Sequence, residues 1–247
     1  MQSEDSRAQA WDLLCEWTRS DSLRRHMLAV EAAMRAYAPR FEGDVQLWGL
    51  TGLLHDLDYE RYPSLEDGHP RYAMRELEAR GYPPELVRAV ASHAEYLGVS
   101  RDTPMEKALF AVDELCGFVL AVAYVRPEGL VGMTPKSVKK KMKTPAFAAA
   151  VSREDMMAGA AALGVDFDEH LSIVIAALAE RRDELMPAPD APAAASAGRR
   201  AAASANGPAA ASAGGPAAAS ANGPAAASAS RPESGSPAPT PAPADAA

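Results

Sequence analysis

Six side chains of the types that ligate metals follow one another in order along this 247-residue chain: His26, the adjacent pair His55 and Asp56, His69, His93 and Asp113. Four of the five histidines fall in this window, and His170 stands apart. The adjacent pair interrupts a stretch, 49–57, that otherwise reads as buried helix. Burying a carboxylate beside an imidazole among apolar side chains costs several kcal/mol unless something compensates, and a divalent cation is the usual compensation. Taken singly, each position has an ordinary explanation. An inward histidine is commonly a hydrogen-bonded core residue, and Asp113 alone could cap a helix or pair with a lysine. Jointly, a core holding this many ionisable groups with no ion would be badly destabilised.

The elements that must carry these residues read as helices. Apolar residues recur at three and four positions from Ser6 to Leu185, with almost no alternation, so the fold class expected is all-α, a single helical bundle. Helices are expected at 6–18, 22–38, 44–57, 71–80, 84–96, 104–125, 135–143, 153–163 and 167–185. Asp21 or Ser22 is placed to cap the second, Thr103-Pro104 with Glu106 opens the sixth as a capping box, Ser152 opens the eighth, and Gly81 stops the fourth. His26 shares a stripe with Leu23, Val30 and Ala33, His93 one with Leu86 and Val90, and Asp113 lies among Leu109, Val112 and Cys116, so all three point inward. Gly49 and Gly52 let a neighbouring helix approach the third. His69, before Pro70, falls in a loop. His170, with no ligand-type partner at useful spacing, reads as structural.

Residues 188–247 have no aliphatic side chain larger than Ala and no aromatic, and from 193 to 232 they repeat an octad of the form AAASANGP. Such a segment cannot bury enough surface to offset the entropy of ordering, so a disordered low-complexity tail is expected after a domain spanning 1–187. The tail's charges cancel, and the net charge of −8 therefore belongs to the domain. That sign disfavours a generic nucleic-acid surface. Two cysteines without CxxC spacing, no secretory segment and no run of 18 apolar residues predict a cytoplasmic chain that does not enter the membrane. The local exception to the acidic balance is Lys136, Lys139, Lys140, Lys141 and Lys143. With Thr134-Pro135 opening their helix they form a candidate phosphate cradle in which Lys139 and Lys140 are the preferred substrate contacts, with Arg126 after the sixth helix a weaker candidate and a solvated basic face the ordinary alternative.

The order His26, His55-Asp56, His69, His93, Asp113 on a helical frame resembles the HD-domain metal-dependent phosphohydrolase superfamily over about residues 20–130. The resemblance implies that His26, His55, Asp56 and Asp113 bind one metal, and that His69 and His93 with a bridging Asp56 bind a second. Imidazole plus carboxylate suits Mn, Fe, Co, Ni or Zn without selecting among them. The function implied is hydrolysis of a phosphoester or phosphoanhydride of a small molecule, most plausibly a nucleotide, with Asp56 catalytic and Lys139, Lys140 or Arg126 on the phosphate. Many relatives follow His-Asp with a small residue and Lys, whereas this chain reads Leu57-Asp58-Tyr59-Glu60-Arg61. Asp58 and Glu60 could donate protons or orient ligand histidines, but solvated residues at a helix end are the simpler expectation. Two other readings stay open on the same frame: a diiron oxygenase, and a non-enzymatic ligand-binding module.

Overall fold

Apolar periodicity organises the chain into helices. The structure, a computed structural model, describes residues 3–149 and 151–186, with side chains from Ser6 onward. The tail with its octads, and the domain boundary at 187, lie outside the described residues. Among the described residues there are ten α-helices and no strand: α1 (Ser3–Trp17), α2 (Asp21–Tyr37), α3 (Val45–Leu54), α4 (Arg71–Ala79), α5 (Pro84–His93), α6 (Pro104–Tyr124), α7 (Pro135–Met142), α8 (Arg153–Leu163), α9 (Phe167–Glu180) and α10 (Arg182–Leu185). No helix among them is long and apolar enough to cross a membrane.

The core is built around α6, which is buried on most of its circumference, from Met105 through Leu109, Val112 and Phe118 to Ala123. Against it pack α2, α5, α8 and α9, and α2 in turn packs along α3. That last contact is close because Gly52 has no side chain: a Cβ there would lie 2.8 Å from Val30 O and 2.9 Å from Glu31 N. At Gly49 the space is taken by the Arg35 side chain instead. Glu31 is fully buried on α2 and accepts hydrogen bonds from Arg7, Arg35 and Arg181 at 2.8 to 3.0 Å, which joins α1, α2 and the start of α10.

Helix starts follow the sequence, with one correction. Thr103 and Glu106 form the expected capping box, and Ser152 caps α8. For α2 the cap is Ser20, whose hydroxyl accepts from Leu23 N, while Asp21 is already the first helical residue.

Three helix ends differ from expectation. The third helix stops at Leu54, not 57, because the His55 ring takes Gly52 O, the carbonyl that would accept from Asp56 N in a continuing helix. The chain then turns with i to i+3 bonds, Leu57 N to Leu54 O and Tyr59 N to Asp56 O. The fifth ends at His93, after which Ala94 is extended. The ninth breaks at Arg181, with no Gly or Pro to signal it, where the guanidinium is held by Glu31 and Glu184.

Candidate metal centre

Four elements and one loop bring the six ligand-type residues together. His26 comes from α2, His55 caps α3, Asp56 follows it, His69 ends the loop before α4, His93 is the last residue of α5, and Asp113 sits mid-way along α6. All but His93 are buried, and its ring is 5% exposed.

Asp56 is the hub. Its Oδ1 lies 3.4 Å from His55 Nε2 and 3.6 Å from the Nε2 atoms of both His69 and His93, and its Oδ2 lies 3.9 Å from His26 Nε2. Asp113 Oδ1 stands 3.1 Å from His26 Nε2 and 3.5 Å from His55 Nε2. Two sets of ligand atoms result, His26 with His55 and Asp56, and Asp56 with His69 and His93, each gathered within 4.8 Å. Asp56 belongs to both.

The imidazole protons reveal what the centre is built to receive. His55 Nδ1 donates to Gly52 O at 2.8 Å, His93 Nδ1 to Val90 O at 2.5 Å, and His69 Nδ1 to the Asp58 carboxylate at 2.7 Å. These oxygens can only accept, so each Nδ1 carries a proton and Nε2 is the ring atom turned toward Asp56. His69 and His93 bring their Nε2 atoms within 3.2 Å of each other, close enough for both to face a single ion. A divalent transition ion fits that donor set. Burial, reinforced by the neighbouring His69 and His55 and opposed by Asp56, pushes the His93 pKa down. The ring is thereby kept in the neutral form that binds metal.

Asp58 is a correction to the simpler expectation of a solvated residue. It is fully buried, with Oδ1 on His69 and Oδ2 accepting from Ala73 N at 2.8 Å, so it ties the ligand loop to the first turn of α4. Glu60, by contrast, faces away and accepts from Arg19 N and Ser20 N ahead of α2.

Two neighbours escaped the sequence reading. Tyr96 donates its hydroxyl to His69 O at 2.6 Å, and its own pKa is raised by burial and then by the negative charge of Asp56. Arg71 places its guanidinium 6.0 Å from the Tyr96 ring and bonds Leu65 O. Neither residue type nor spacing marks them, because their place depends on the 55–70 turn. His170 is structural as expected: its Nε2 donates to Ala111 O at 3.1 Å, and its Nδ1 accepts from Tyr37 at 2.6 Å.

The three basic residues singled out for substrate occupy another neighbourhood. Arg126 follows the end of α6, and about 16 Å of helix separates Asp113 from Tyr124 at about 1.5 Å per residue. Its guanidinium bonds Gly129 O, Val131 O and Ser137. Lys139, on α7, pairs with Asp168 at 2.6 Å. Lys140 is exposed on the same short helix, which packs against α6 and α9.

A family model, the HD domain, matches residues 23–116. No curated protein and no solved structure matches the chain significantly. The matched span opens just before His26 and closes just after Asp113, so it contains all six ligand-type residues. Residues 23–116 of this chain thus match an HD domain, and the His and Asp cluster they carry fits an HD-type metal site.

Proposed function

We propose that the chain is a metal-dependent phosphohydrolase that cleaves a phosphoester or phosphoanhydride of a small molecule, with a nucleotide as the favoured substrate class. The observation that carries this reading is the sharing of Asp56 between the two ligand sets, within an HD domain. His26, His55, Asp56 and Asp113 would hold one ion, and Asp56, His69 and His93 a second. Bound divalent cations supply Lewis acidity, lowering the pKa of water and neutralising phosphate charge.

The protein's own contribution is orientation and exclusion of bulk water. Hydrogen bonds at Nδ1 fix the tautomer of His55, His69 and His93 in advance, so the lone pairs need no rearrangement on loading. The Asp58 carboxylate raises the basicity of His69 and hence its strength as a ligand. With Arg126 and Lys139 engaged elsewhere, Arg71 is the cation placed to meet a phosphate at the rim, two residues from His69 and beside Tyr96.

The test is metal analysis of the full chain, followed by a phosphate-release screen over nucleoside monophosphates, nucleoside polyphosphates and sugar phosphates. Release that depends on added divalent ion and vanishes in His55→Ala is the expected result. Oxygen-dependent turnover of an unphosphorylated compound, with no phosphate released, would replace this reading with an oxygenase.

A further inference from the structure

The face of α2 turned away from the metal centre borders a second cavity. Helical rotation places Arg24, Arg25 and Leu28 on one side of α2 and His26 on the other. Together with Arg7 and Trp11 of α1, Asp21 at the start of α2 and Glu184 of α10, those three residues line an open cleft of about 390 Å³. That volume suits a small-molecule ligand.

The cleft carries excess positive charge in an acidic chain. Arg24 spends two of its nitrogens on the main-chain carbonyls of Thr18 and Cys15, so its charge is met only by the exposed Asp21 at 3.9 Å. Arg25 makes no ion pair among the described residues, and its Nε is buried with no hydrogen-bond partner. Arg7 shares Glu31 with Arg35 and Arg181, and Glu184 is taken by Arg181. In the lining itself three guanidinium groups, Arg7, Arg24 and Arg25, thus stand against the two carboxylates Asp21 and Glu184. Trp11, partly buried against the core, offers an indole surface in the same cleft.

We propose that this cleft is a second ligand site, separate from the metal centre, for a phosphorylated small molecule bearing a planar ring. Its phosphate would lie on Arg24 and Arg25, whose forked donors match phosphate oxygens, and its ring on Trp11. The site does not rest on the phosphohydrolase reading, since it uses none of the metal-centre residues.

The experiment is calorimetric titration of AMP into the full chain and into its variants. Saturable binding is expected to persist in His55→Ala, in which the metal centre is crippled, and to weaken about tenfold or more in Arg25→Gln, as loss of a charge-assisted contact implies. Trp11→Leu is expected to weaken it by a similar factor through lost stacking. Because Arg25 also reaches the Tyr124 hydroxyl, hydrogen exchange on the unsubstituted chain supplies a readout that needs no variant: AMP should slow exchange in α1 and the first turns of α2. Absence of saturable binding, binding that survives Arg25→Gln, or protection confined to the loop 55–70 and α5 would each overturn the proposal.

Discussion

Asp58 Oδ1 stands 2.7 Å from His69 Nδ1, so His69 is oriented by a buried carboxylate where His55 and His93 are oriented by main-chain carbonyls. The same carboxylate accepts from Ala73 N, which means the position of His69 and the start of α4 are set by one side chain. Replacing Asp58 by Asn keeps the shape and removes the charge. We expect metal affinity at the His69 and His93 set to fall about 10- to 100-fold while the His26 and His55 set still loads. Metal titration of Asp58→Asn with an ion-sensitive chelator checks this, and unchanged loading of both sets would remove Asp58 from the role.

The shared position of Asp56 predicts unequal losses. In Asp56→Asn both ion sets fail, whereas His93→Ala loses one and retains the other. The metal-to-protein ratio after purification and reloading distinguishes the two variants. Equal ratios would contradict the bridging geometry. Chelation of the unsubstituted protein should also lower its Tm, since ions that bind only the folded chain stabilise it by mass action.

His170 supplies a pH dependence remote from the centre. Burial holds its pKa below the ordinary 6.5, against the pull of the Ala111 carbonyl, so the unfolded chain takes up a proton near 6.5 that the folded chain does not. Its contribution to stability is therefore complete above about pH 6.5 and declines as pH falls through that value, at up to about 1.4 kcal/mol per unit. Urea unfolding at a series of pH values should show a shallower acid limb in His170→Asn than in the unsubstituted protein. Parallel limbs would refute it.

Gly52 couples packing to ligand position. A methyl group there meets the Val30 and Glu31 backbone at under 3 Å, and Gly52 O is the acceptor for His55 Nδ1. Gly52→Ala is expected to cost about 1–3 kcal/mol of stability, as overpacking does, and to weaken metal binding as well. Gly49→Ala, whose nearest obstacle is the Arg35 side chain rather than backbone, should cost less. Denaturant midpoints of the two variants make the comparison.

Much of this arrangement was legible in residue order. The helical period placed His26, His93 and Asp113 on inward stripes, and helix packing then brought those stripes together. The capping box at Thr103 and Glu106 was readable because its chemistry is local. What escaped was set by contacts distant in sequence. Asp58 looks like a solvated residue until the loop folds back and hands it Ala73 N, and the break at Arg181 has no local breaker because Glu31, far away on α2, makes it. Charge alone could not reveal that Arg126 bonds Gly129 and Val131 or that Lys139 pairs with Asp168.

Arg181 gives the far end of the chain a claim on the metal centre. Glu31 and His26 ride on the same helix, and one of the three guanidinium groups holding Glu31 arrives from beyond α9. A chain cut at residue 180 would keep every ligand of the HD segment and still lose one of the three guanidinium groups that hold the helix presenting His26. The shortest chain that keeps all three guanidinium groups on Glu31 therefore runs at least to Arg181, more than sixty residues past the last ligand, and trimming for crystallisation or display should stop after it.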